Sequence, residues 1–243
     1  MTAIVARRRR SVERKPHGIP PRARLFRRRL LAWYRRHRRD LPWRGADDPY
    51  HVLVSEVMLQ QTQVARVCEF YPRFLARYPT LEDLAAAPFD AVRESWDGLG
   101  YYARARNLHA AARHVARERG GVFPERPEEL ARLPGVGRYT AAAVASLAFG
   151  QDVATVDTNV ARVLGRVFRL RGARGSARRT RRTWALAQAL VPRRRSSDWN
   201  QALMDLGATV CTARAPRCRA CPVAAVCGSR QPRRKGSTAR TVP

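Results

Sequence analysis

The chain has 243 residues, 45% of them hydrophobic, enough to fill one sizeable core or two small lobes and too apolar for a disordered polymer. Lysine and arginine number 48 against 19 aspartates and glutamates, a formal charge of +29, which exceeds what solubility requires and selects a polyanionic partner, nucleic acid first. Arg7 to Arg10 follow Met1 to Ala6 at once and no apolar stretch reaches bilayer length, so the sequence reads as intracellular, without signal peptide or membrane span.

A basic N-terminal tail is expected over residues 1–24 and a second over 229–243, with Arg7 to Arg29 and Arg230 to Arg240 as solvated arms. Between them the chain reads as helix after helix. Leu25, Phe26, Leu30, Trp33 and Tyr34 recur at helical spacing, and Asp40-Leu41-Pro42-Trp43 breaks that run. Asp48-Pro49 starts a second helix through Val52, Leu53 and Val57 to Gln60. Further helices are predicted over 64–77, 81–86, 89–97, 103–119, 127–132, 139–149, 160–170, 178–191 and 199–206. No alternating strand pattern appears, so the predicted class is all-α. Cys68, beside Val67 and Phe70, reads as a small core residue.

Four further cysteines, Cys211, Cys218, Cys221 and Cys227, form a C-x6-C-x2-C-x5-C pattern in a short basic segment. Four thiolates so spaced can converge on a [4Fe-4S] cluster, a zinc ion or, as two disulfides, on each other. Zinc commonly uses two short C-x2-C knuckles and only one exists here, which favours the cluster; a reducing location disfavours disulfides.

Leu133-Pro134-Gly135-Val136-Gly137 joins a short helix to a longer one. Its glycines permit a sharp turn and leave backbone N–H groups bare at a helix N-terminus, where the dipole favours a phosphate, as in a helix-hairpin-helix. The same turn read alone is a helix connection. Glu56 falls at helical spacing with Leu53, Val57 and Gln60, on a largely uncharged face. Buried there, its carboxyl would hold a proton near neutral pH; at the helix edge it would be an ordinary glutamate beside a base. Asp157 precedes a helix with Val160, Val163, Leu164 and Val167 on its apolar face, which makes it an N-cap whose negative charge the helix dipole stabilises. One carboxyl that donates a proton and one that stabilises a sugar cation are what glycosidic bond cleavage needs.

Ser55 to Gln63, Gly98 to Arg106, the Leu133 to Gly137 turn, Val156 to Val160 and the cysteine loop stand in the same order as in MutY-type adenine DNA glycosylases, and the chain resembles that family from about Leu25 to Cys227. The resemblance implies a two-lobed helix-hairpin-helix fold like that of endonuclease III, with a six-helix lobe over 47–151, an iron–sulfur lobe over 25–46 and 152–228, and a [4Fe-4S] cluster on the four cysteines. It makes Glu56 the acid for the departing adenine and Asp157 the stabiliser of the oxocarbenium ion, with Tyr139 and Asn159 in support. Gln61 and Tyr101 become the side chains that enter the base stack; Trp43, Arg44 and Gln201 line the base pocket; Gly135, Val136 and Gly137 hold DNA. Tyr102 reads as ordinary aromatic packing.

The implied partner is double-stranded DNA with adenine opposite 8-oxoguanine or guanine, bound by a monomer in the cytoplasm at the nucleoid. Strand-cutting relatives carry a lysine soon after the hairpin; here Tyr139 takes that place and lysine stands only at Lys15 and Lys235, so a monofunctional enzyme is expected. Two features depart from the family: Thr158 follows Asp157 where glycine is frequent, and the sequence ends soon after Cys227, without the Nudix-like C-terminal domain that helps recognise 8-oxoguanine. A mismatch thymine or uracil glycosylase and a non-catalytic iron–sulfur DNA-binding module are the rival readings.

Overall fold

A computed structural model describes residues 21–173 and 175–230; the greater part of both expected tails lies outside them. Among the described residues all regular structure is helical: α1 Pro21–His37, α2 Pro49–Met58, α3 Val64–Arg77, α4 Leu81–Ala86, α5 Phe89–Ser95, α6 Ala103–Glu118, α7 Pro127–Leu130, α8 Arg138–Leu147, α9 Thr158–Val167, α10 Ala177–Leu190 and α11 Ser196–Thr209. A single 3-10 turn, Ala224–Val226, lies in the cysteine loop and has no counterpart in the sequence reading.

Local chemistry explains most boundaries. Asp48 caps α2 by accepting from the Tyr50 and His51 amides, with Pro49 supplying a fixed φ at the first position. Thr80 and Asp83 form a reciprocal capping box on α4. Helix α2 stops at Met58 rather than reaching Gln60, because Gln61 turns into the left-handed region at φ +56°.

Two hydrophobic clusters divide the molecule. One gathers Tyr50 to Ala145 of α2 through α8, including Trp96, Phe74 and Leu108; the other joins Ala23 to Tyr34 of α1 with Ala154 to Val226, including Trp199 and Leu164. The chain thus enters the second cluster, leaves to build the first, and returns. Asn200, wholly buried on α11, ties the two together: its Oδ1 accepts from the Thr155 amide at 3.1 Å and its Nδ2 donates to Ser146 Oγ at 2.8 Å and Val153 O at 2.9 Å. On the open side, Arg138 of α8 stacks over Trp184 of α10, 3.9 Å from the ring centroid.

Helix α1 begins four residues earlier than expected, and its arginines are not all solvated. Arg22 donates to Val167 O at 2.6 Å and Val226 O at 2.9 Å, and Arg27 donates to Leu190 O at 2.6 Å, closing the open carbonyl end of α10. In the cysteine loop, Arg217 likewise turns back on Thr209 O at the end of α11. Cys68 is half-buried on α3 rather than a core residue.

Candidate active site

A cleft of about 1390 Å³ runs between the two clusters, and Trp43, Arg44, Glu56, Gln61, Tyr139, Asp157, Asn159 and Gln201 all line it. They arrive on several elements. Packing of α2 against α8 brings Glu56 toward Tyr139; the N-terminus of α9 supplies Asp157 and Asn159; the turn after α1 delivers Trp43 and Arg44; α11 contributes Gln201. Tyr101 and the Gly135-Val136-Gly137 turn lie away from the cleft lining; Tyr101, Gly135 and Gly137 are exposed, while the Val136 side chain is buried in the first cluster, so only the backbone of that turn faces outward.

Glu56 is 5% exposed. Burial pushes its carboxyl up to about 7, opposed by a hydrogen bond from Tyr139, reinforced by the Asp157 charge and tempered by Arg44. Tyr139 itself is held well above the ordinary phenol range, first by burial and then by the two carboxylates, so its hydroxyl keeps its proton and donates to Glu56. At the mouth of α9, Asp157 accepts from the Val160 amide at 2.6 Å and from Asn159 Nδ2 at 2.9 Å. Both donors and the helix dipole complement negative charge there.

Arg44 is fixed by its surroundings: Nη2 pairs with Asp205 Oδ1 at 2.8 Å, and Nη1 donates to Gln201 Oε1 and, at 3.3 Å, to Tyr34 Oη. Gln201 passes its other amide face to Ser197 Oγ at 2.9 Å. Asp205, fully buried, also holds Arg39 at 2.8 Å. The sequence reading missed Asp205; its signal was a lone acid inside the apolar run Ala202-Leu203-Met204-Asp205-Leu206.

Beyond the cleft, Cys211, Cys218, Cys221 and Cys227 line one cavity of about 340 Å³ with Val163, Val167 and Leu206. Burial pushes the Cys221 thiol up, and the other three cysteines add to it. Among the described residues, no three histidine, cysteine or acidic side chains stand close enough to hold a single ion. Arg162 and Arg166 stitch the loop to α9: Arg162 Nε donates to Cys211 O at 2.9 Å, and Arg166 Nη1 reaches Cys211 Sγ at 3.4 Å and Thr212 O at 2.6 Å.

At the surface, Gly135 adopts φ +70°, and a β-carbon there would overlap the Asn107 β-carbon of α6. Glycine alone lets the turn lie that close. Gly137 precedes α8 without a side-chain cap, leaving the first amides of that helix open. Tyr102, expected from the sequence to be ordinary aromatic packing, is exposed, with its hydroxyl bonded to Asp97 Oδ1 at 2.8 Å and Arg93 over its ring.

A model of the HhH-GPD superfamily base excision DNA repair proteins matches residues 54–189. Human adenine DNA glycosylase is 51% identical over 215 residues, covering 85% of this chain and 39% of that protein. The adenine DNA glycosylase of Mycobacterium tuberculosis is 48% identical over 196 residues, covering 80% of this chain and 64% of its own length. The chain therefore spans about two fifths of one of these relatives and just under two thirds of the other. Among solved structures, a thermostable thymine-DNA glycosylase aligns with a TM-score of 0.79 at 34% identity, over 86% of this chain and 96% of its own. Endonuclease III in a non-covalent DNA complex aligns with a TM-score of 0.69 at 26% identity, over 85% and 95%. With more than half its length matched by the family model and the endonuclease III architecture reproduced, the chain belongs to the HhH-GPD superfamily of base excision DNA repair proteins.

Proposed function

We propose that the protein removes adenine mispaired with 8-oxoguanine or guanine from double-stranded DNA, by hydrolysis of the N-glycosidic bond and without cutting the strand. The observation that carries this reading is the pairing of a buried Glu56, proton-bearing near neutral pH, with a capped Asp157 across one cleft. Adenine is a poor leaving group unless a ring nitrogen is protonated, and Glu56 supplies that proton. As the bond between the sugar C1′ and the base breaks, positive charge grows on the sugar and the Asp157 carboxylate stabilises it. Water then adds at C1′ and gives up a proton, which returns through solvent to the Glu56 carboxylate, and the products are free adenine and an abasic site. Tyr139 holds the Glu56 carboxyl in place, Asn159 does the same for Asp157, and Trp43, Arg44 and Gln201 bound the pocket for the extruded base.

DNA is the polyanion that the charge selects. The hairpin turn Gly135-Val136-Gly137 offers uncovered amides to a phosphate, and Gln61 and the 61% exposed Tyr101 project to enter the stack. Names of the relatives favour adenine over thymine or uracil as the released base. The cysteine cavity, lined by four sulfur donors together with Val163, Val167 and Leu206, suits a [4Fe-4S] cluster held by Cys211, Cys218, Cys221 and Cys227. When bound, that group would supply a fixed core for the loop and no chemistry at the sugar. The protein would work as a monomer at the nucleoid; no helix among the described residues is long and apolar enough to cross a membrane.

Single-turnover assays on duplexes with A:8-oxoG, A:G, T:G and U:G test the reading. Adenine release from the first two should dominate, and borohydride should trap no covalent adduct at the efficiency of base release. Faster release of thymine or uracil would overturn it.

A further inference from the structure

Gln61 and Tyr101 share a property that their separation in sequence hides. Both are non-glycine residues in the left-handed region, at φ +56° and +50°, a conformation that costs about 1–2 kcal/mol each. Gln61 lies in the turn after α2, Tyr101 in the turn before α6, and the two turns meet at one guanidinium. Arg104 is only 7% exposed. Its Nη1 donates to the carbonyls of Val57 at 3.0 Å, Met58 at 2.8 Å and Gln60 at 2.5 Å. Its Nη2 donates to those of Leu99 and Gly100, both at 3.1 Å. One terminal nitrogen thus serves each turn. The guanidinium carbon stands 5.6 Å from the Trp96 ring centroid and 5.5 Å from that of Tyr101.

None of the ion pairs among the described residues involves Arg104, so carbonyl dipoles and ring faces offset its charge, including the open carbonyl end of α2. A lysine would bring one nitrogen and no plane, and could not serve both turns while lying against two rings.

We propose that Arg104 is a positioning residue that locks the turns bearing Gln61 and Tyr101 into one rigid unit, so that both side chains enter the base stack together. The proposal rests on the reading of these two residues as the stack-entering pair. A simple helix cap would stabilise the fold without coupling the two turns.

The test uses the full chain and a duplex with 2-aminopurine next to the mispaired adenine, whose fluorescence rises when stacking is lost. With Arg104→Lys the rise should fall at least tenfold, while duplex affinity stays within about threefold and the pH midpoint of base release does not move. Opening of the stack to the wild-type extent by a folded Arg104→Lys protein would overturn the proposal. Should that variant fail to fold, Gln61→Ala and Tyr101→Ala, both at exposed positions, provide the same decision. Each alone should cut the fluorescence rise about tenfold and the double variant little further; additive losses would overturn the coupling. Because stack opening is read without base release, a wild-type protein that opens the duplex yet keeps its adenine would remove the adenine reading and leave this one standing.

Discussion

Arg162 Nη2 lies 2.6 Å from Asn159 Oδ1. Asn159 in turn donates to Asp157, and the other arm of Arg162 holds Cys211 O, so an unbroken line of hydrogen bonds runs from the cysteine loop to the cleft carboxylate. Replacing Arg162 with glutamine should turn Asn159 loose and slow single-turnover base release about tenfold, or ~1.4 kcal/mol in the barrier. Duplex affinity should change far less, and the comparison of the two measurements checks the assignment. Equal losses in both would mean that Arg162 serves the loop alone.

Glu56 makes activity and stability depend on pH in linked ways. Base release should be flat below about pH 7 and decline above it, as the acid loses its proton. For stability, the folded-state value near 7 lies above the ordinary 4.5. The folded protein therefore holds this proton more tightly than the unfolded chain, and the contribution of Glu56 to stability is fully present below pH 4.5 and is lost as pH rises toward 7. Glu56→Gln removes that loss: at pH 8 the inactive variant should exceed wild type by about 3 kcal/mol, with the gap closing under acid. Urea midpoints at pH 4 and 8 measure it.

Asp205 balances two arginines from inside the protein. Asp205→Ala would leave Arg39 and Arg44 facing a buried apolar gap, at a cost of about 3 kcal/mol. Both arginines line the cleft, but Arg44 also bonds Gln201 and tempers Glu56, so base release should weaken together with the denaturation midpoint; Arg39→Ala, which leaves those two contacts in place, should affect chiefly the latter.

The hairpin offers a steric test. Gly135→Ala should destabilise by about 2–3 kcal/mol, part from the positive φ and part from overlap with Asn107. Adding Asn107→Gly should recover the steric part relative to Asn107→Gly alone, leaving about 1 kcal/mol for the backbone. A thermal-melt cycle of the four proteins decides.

Sequence periodicity carried the helices well: α3 and α4 begin and end where the apolar spacing puts them, because Thr80 and the preceding Pro79 mark the junction chemically. It erred at α1, where the signal that Ala23 packs inside is a single small residue among arginines. Glu56 stood out as an acid on a largely uncharged helix face and Asp157 as an acid at a helix N-terminus. What the sequence concealed was partnership. Nothing in the spacing of Arg104, Arg162 or Asp205 tells which distant group each will meet, since Val57 and Gln60, Cys211 and Arg39 lie 44 to 166 positions from them and are brought close by helix packing.

Arginines that bond main-chain carbonyls, such as Arg22, Arg27, Arg104 and Arg162, give the basic composition a second meaning. The steepness with which duplex binding weakens in salt counts phosphates neutralised, and side chains occupied within the protein release no counterions from DNA. A titration against potassium chloride would therefore return far fewer contacts than a tally of +29 suggests. Exchange of arginine for lysine throughout, neutral in charge, would weaken the folded state long before it weakened the attraction to DNA.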